Sequence, residues 1–226
     1  MLKNILCATS LLCATTFANA ASITLTDTLV MQSTNYATTL EFAKFDTLGG
    51  ARTLESVSFS IAGDILGTAQ VESLDNTAST IMTTLSAELT LTDAMSNVLV
   101  VTIPSVTRTF DASAYDGTTD FSGTSVVVFD NLAASQFEEE TYTDLSTLDF
   151  FSGQGVSTFS FAAQAASLAT GSGNIISGLS TQAGAIVNVV YNYSVTSPAV
   201  GVSAPSHVAM LGFGLLTIAG LRKVRS

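Results

Sequence analysis

The sequence predicts an all-β fold: an antiparallel β-sandwich of jelly-roll-like form, flanked by an N-terminal signal helix and a C-terminal hydrophobic helix. Three observations predict it. Apolar residues alternate with Ser, Thr and Asn at period two in run after run, the pattern of strands with one buried face. Turn residues separate these runs at short intervals, and β-branched residues dominate with no sustained 3.6-residue stripe. Roughly eight to twelve strands follow, arranged as a sandwich. No internal repeat of fixed period is visible, which argues against a solenoid or propeller.

The first segment, residues 1–20, reads as a signal peptide. Lys3 gives a basic start, residues 5–17 form an apolar run, and Ala18 and Ala20 place small side chains at the two positions a signal peptidase reads. Cleavage is expected between Ala20 and Ala21. The run is shorter than the ~20 residues needed to span a bilayer as a helix.

The β-domain is expected over residues 21–196. Val57, Phe59 and Ile61 alternate with Ser58 and Ser60, and Leu85, Ala87, Leu89 and Leu91 with Ser86, Glu88 and Thr90. Phe159, Phe161 and Ala163 alternate with Ser160 and Ala162. The longest alternation is Val187, Val189, Tyr191, Tyr193 and Val195, which directs both tyrosines toward a core. Residues 97–103 and 125–129 are more continuously apolar and suit central strands covered on both faces. Turns are expected at Gly49-Gly50, Gly63-Asp64, Asp75-Asn76, Asp116-Gly117, Gly153 with Gly155, and residues 171–174. Residues 144–151 read as a helical turn or a loop.

A linker over residues 197–204 leads to a tail at 205–226. Ala204, Pro205 and Ser206 precede an apolar run over 208–221 that contains Val208, Leu211, Leu215, Leu216, Ile218 and Leu221; Arg222, Lys223 and Arg225 follow. As a helix this run spans about 21 Å, short of the ~30 Å hydrocarbon core. Its basic end would be held on the cytoplasmic side.

Charge and missing residue types narrow the chemistry. All 18 acidic residues lie between Asp27 and Asp149, where only Lys44, Arg52 and Arg108 oppose them, a net −15. Such a surface repels nucleic acid, which is excluded as a partner. Both cysteines, Cys7 and Cys13, fall in the leader, and the lone histidine, His207, falls in the tail. The β-domain therefore has no disulfide and offers neither a Ser-His-Asp triad, a Cys-His pair nor a His-ligated zinc site. Nothing singles out a carboxylate pair for glycoside hydrolysis, so a non-enzymatic protein is expected. Asp111, Asp116 and Asp120, near Gly117 and Gly123, are candidate calcium ligands, although Asp and Gly are also ordinary turn residues. Calcium aside, no cofactor is expected. Glu138-Glu139-Glu140 reads as a solvated face.

The ending, a short motif followed by a hydrophobic helix and a basic cluster, resembles the PEP-CTERM sorting signal. The usual motif has Glu before the Pro; Pro205 and Ser206 match it and Ala204 departs. The resemblance implies processing by an exosortase-type enzyme, with the tail either cleaved or retained as an anchor.

Four stretches of the body carry a second resemblance: residues 45–49 leading into 54–57, residues 115–124, residues 148–155, and residues 185–193 with their Val-Asn-Val-Val-Tyr-Asn-Tyr ending. In that order they resemble the choice-of-anchor E domain, which implies a secreted or surface-held β-domain without established catalytic residues. The expectation is an exported, envelope-sorted protein of the cell surface or extracellular matrix. Its expected partners are signal peptidase, an exosortase-type enzyme, the membrane before processing, and exopolysaccharide. The alternative is a calcium-dependent adhesin-like or carbohydrate-binding module.

Overall fold

The computed structural model describes residues 19–171 and 173–196. Ten strands run through them: β1 (Asn19–Ser33), β2 (Tyr36–Ala43), β3 (Arg52–Ser73), β4 (Ser79–Asp93), β5 (Val98–Thr102), β6 (Ser105–Ala112), β7 (Val126–Tyr142), β8 (Val156–Ala165), β9 (Leu168–Gly171) and β10 (Ile175–Val195). An α-helix, α1 (Leu145–Phe151), joins β7 to β8, and a short 3-10 turn, Leu48–Gly50, lies between β2 and β3. No helix among the described residues is long and apolar enough to cross a membrane. Of the signal-cleavage residues, Ala20 and Ala21 open β1, while Ala18 lies outside the described residues. The sorting motif, the apolar run and the basic cluster also lie outside them.

The strands form two antiparallel sheets. The first has the order β1-β10-β3-β7; the second has the order β2-β8-β4-β5, with β6 and β9 also paired to β4. Strand β4 explains the extra pieces. Its first half, through Ser86, pairs with β6 and β9, and its second half, from Ala87, pairs with β5 and β8. Each pair of short strands is therefore one strand interrupted opposite the middle of β4. Pro104, which has no N–H to donate, marks one interruption. At the other, Ser86 Oγ donates to the Ala166 carbonyl at 2.8 Å, and Ser167 Oγ donates to the Ser86 carbonyl at 3.1 Å. With the interrupted strands counted once, eight strands remain, interleaved 1-8-3-6 and 2-7-4-5. That order is a jelly roll.

The alternating runs place the core. Val57, Phe59 and Ile61 on β3 pair directly with Tyr191, Val189 and Val187 on β10, and all six are buried. Leu85, Ala87, Leu89 and Leu91 on β4 and Phe159, Phe161 and Ala163 on β8 face them from the second sheet. The aromatic rings gather at one end. Phe59 lies 5.1 Å from Phe151, 5.7 Å from Phe159 and 5.8 Å from Tyr142, centroid to centroid. Tyr191 and Tyr193 turn inward against Phe45, and Tyr191 donates its hydroxyl to the Ala43 carbonyl at 3.0 Å. Burial pushes the Tyr191 phenol up to about 12.

Three expectations are corrected here. Residues 97–103 and 125–129 do not form central strands, because β5 and β7 are both edge strands. In β5 the apolar run has a different cause. The register shifts by one residue opposite Leu91 and Thr92, and this bulge turns both Leu99 and Val100 into the core. In β7, Val127 and Phe129 pack inward while Val128 is exposed. Gly63-Asp64 is no turn but the interior of β3. A Cβ at Gly63 would overlap Leu89 Cδ1 and sit 3.0 Å from Thr102 Cγ2, so the glycine marks a close approach between the sheets.

Candidate functional site

Two places carry side chains that could act on another molecule. The first is a cleft of about 260 Å³ at the aromatic end, between the β4–β5 hairpin and α1. The hairpin is fixed by Asp93, whose Oδ1 accepts from Met95 N and Asn97 N and whose Oδ2 accepts from Asn97 Nδ2, all at 2.8 Å. This satisfies the turn's amides locally and leaves the carboxylate committed to structure.

Helix α1 forms the opposite wall. Asp144 is its N-cap, accepting from Ser146 Oγ at 2.6 Å and from Thr147 N at 2.9 Å. The Ser146 hydroxyl first, and then the Thr147 amide, hold the Asp144 carboxyl down at about 2. Leu148 and Phe151 bury the helix's inner face, while Phe150 faces the cleft with Lys44 Nζ 5.1 Å from its ring centroid. Tyr142, at the end of β7, donates to the Leu99 carbonyl at 2.7 Å. Its phenol is pushed above the ordinary value by burial first, then by the Glu140, Asp144 and Asp93 carboxylates.

The cap makes a pH prediction. A carboxyl lowered in the folded state adds stability above its unfolded value of 3.8, and that stability is lost as the pH falls toward about 2. Asp144→Asn keeps an acceptor at the cap and Asp144→Ala removes it. Thermal melts at pH 7 should therefore rank wild type and Asn above Ala. The advantage of the wild type over Asn should shrink as the pH drops from about 4 to about 2.

The cleft's lining is mostly aromatic and aliphatic, with Asp93, Asn97, Ser146 and Thr147 as its polar residues. Its volume lies just below the ~300–1,000 Å³ of sites that enclose a drug-sized ligand, and suits a single ring or side chain. Nothing in the local sequence marks the cleft. Its residues come from two segments some fifty positions apart, and the only signal was the ambiguous helical turn at 144–151.

The second place is the loop of residues 113–125 between β6 and β7, which holds two of the candidate calcium ligands, Asp116 and Asp120; the third, Asp111, precedes it. They are not brought together as a ligand set: among the described residues, no group of three Asp, Glu, His or Cys side chains is arranged to hold a metal ion. Asp111 lies on β6, its Oδ1 accepting from Thr80 Oγ1 across the ladder at 2.7 Å. Asp116 folds back on its own loop, its Oδ1 accepting from Thr118 N at 2.9 Å. Asp120 is exposed. Beneath the loop lies a carboxylate with no sequence signal. Glu72, on β3, is fully buried, and its Oε2 accepts from Phe121 N at 2.9 Å. The Glu138-Glu139-Glu140 run is exposed on edge strand β7, where its charge opposes the addition of another strand.

No protein-family model matches the chain, and no curated protein matches it. Among solved structures it is similar to the structure of infectious bursal disease virus Gt strain, at 10% identity over 90% of this chain and 50% of that one, with a TM-score of 0.15. The Gx strain of the virus gives 12% identity over 86% and 47%, with a TM-score of 0.16. A subviral particle of its VP2 protein gives 14% over 88% and 50%, with a TM-score of 0.15. The chain spans about half the length of these chains. Overlaps this slight carry no argument about fold or activity.

Proposed function

We propose that the chain is an exported, envelope-sorted, non-enzymatic protein of the cell surface or extracellular matrix, whose jelly-roll body acts by holding other molecules. One observation carries this reading. Residues Ala20–Val195 form one compact unit by themselves. Its first and last long strands, β1 and β10, are neighbours in one sheet. The body would therefore keep its fold when either end is removed. The sequence between those ends has no histidine and no cysteine, which removes the commonest general base and the thiol nucleophile. Signal peptidase would act at Ala20–Ala21, and an exosortase-type enzyme near Pro205, with the tail holding the precursor in the membrane until then. Exopolysaccharide is the proposed neighbour outside.

The test is protease accessibility on intact cells of the native host. The reading expects added protease to shave the protein from whole cells. Protection in whole cells, with digestion only after lysis, would contradict surface placement.

A second reading, a carbohydrate- or ligand-binding module, is favoured by the cleft at α1. A ligand seated there would stack on Phe150 and Tyr142. Phe150→Ala should then weaken binding in a glycan or small-molecule screen by about tenfold, the loss of roughly one aromatic contact. Unchanged binding would place the ligand elsewhere.

A further inference from the structure

The 113–125 loop carries two features that call for an account together. Glu72 is fully buried, and among the described residues no donor reaches its Oε1. A buried carboxylate oxygen without a partner is costly, and such groups in folded proteins mark a missing ligand, ion or water. The residue that satisfies the other oxygen, Phe121, is held at φ +51°, a backbone region that bulky side chains rarely adopt. The loop therefore closes over the Glu72 carboxyl in a strained form.

Its surroundings are acidic as well. Tyr115 N donates to the Asp75 carbonyl at 2.6 Å, which brings the start of the loop against the end of β3. Asp116 lies against Gly123, where a Cβ would sit 2.6 Å from its Oδ2. Asp75 follows β3 closely, and Asp116 and Asp120 lie on the loop whose Phe121 amide reaches Glu72, while no lysine or arginine lies between Arg52 and Arg108 or between Arg108 and the tail. A negative field of this kind concentrates cations.

We propose that Glu72 Oε1 is a ligand of a calcium ion bound beneath this loop. The ion completes its shell from loop carbonyl oxygens and water, which is why the site needs no convergent group of three carboxylates. Calcium accepts six to eight oxygens in irregular geometry, whereas magnesium demands a strict octahedron that a loop of this kind does not supply. With few charged ligands, the site belongs to the weak range of extracellular modules, a Kd of ~10⁻⁴–10⁻³ M. It differs from the Asp111, Asp116 and Asp120 set in its key residue, and it is the same whether or not the chain's ends are processed.

The test is thermal melting of the purified chain in chelator, in about 10 mM calcium and in about 10 mM magnesium, at matched ionic strength. A ligand that binds only the folded state at that excess should raise Tm by roughly 3–11 °C in calcium over magnesium. Glu72→Gln keeps the shape and the acceptor toward Phe121 N while removing the charge. It should melt in chelator at or above the wild-type temperature and show no calcium gain. Asp111→Asn should keep the gain. No calcium-specific gain in the unmodified chain overturns the proposal, as does a full gain in Glu72→Gln. Should Glu72→Gln not fold, tyrosine-sensitised terbium luminescence in the unmodified chain reads the site through Tyr115. A signal that calcium displaces is expected, and its absence overturns the proposal.

Discussion

Phe59→Ala should lower the stability of the fold by about 4 kcal/mol, the middle of the range for truncating a buried aromatic residue. The ring is fully buried and meets three others, Phe151, Phe159 and Tyr142, which come from α1, β8 and β7. Its removal therefore opens a cavity at the point where both sheets and the helix meet, and none of these elements can collapse into it alone. For a body of this size the loss corresponds to a fall in Tm of about 8–16 °C. Phe137→Ala is the comparison. That ring is 56% exposed on edge strand β7, and its truncation should change stability by no more than about 0.5 kcal/mol. Denaturant melts of the two variants check the ranking, and equal losses would mean that the aromatic cluster is not the centre of the core.

Gly67→Ala should cost about 3 kcal/mol, at the top of the range for overpacking. Gly67 sits on β3 where the ladder to β7 shifts register, and a Cβ there would overlap the carbonyl oxygen of Ser180 on β10 and come within 2.9 Å of Leu85 Cδ2. The Leu85 side chain can swing away, but the carbonyl belongs to the backbone ladder and cannot move without breaking the β3–β10 pairing. Gly178→Ala is the internal control: a Cβ at Gly178 meets nothing within 4 Å. It should be neutral or stabilising by a few tenths of a kcal/mol, because alanine restricts the unfolded chain. A Gly67→Ala variant as stable as Gly178→Ala would contradict the register assigned to β3.

The contrast between these glycines shows where sequence reading stops. Period-two alternation found β3, β4, β8 and β10, because each buries one face against a partner sheet and its inward side chains are fixed by the pleat. The same logic put Ser58 and Ser60 outside, and they do sit on the outer face of β3. They are nevertheless buried, since Asn188 reaches Ser60 at 3.2 Å and Thr141 reaches Ser58 at 2.7 Å. A glycine in a strand and a glycine in a turn look alike in sequence, and only the approach of Leu89 tells that Gly63 is the former. Edge strand β5 reads as central because its bulge turns two consecutive residues inward, which imitates cover on both faces, whereas the apolar run in β7 includes Val128, which is exposed. The cleft and Glu72 were not legible at all. Glu72 alternates with Val71 like any outward polar residue, and a loop from another part of the chain makes it a buried one.

The most direct test of the proposed export and sorting is the intact mass of the protein recovered from the envelope and medium of its native host. The account predicts a chain that has lost residues 1–20 and the segment beyond the Pro205 region, with any added mass marking an attached group. An unprocessed chain of 226 residues in the cytoplasm would contradict it.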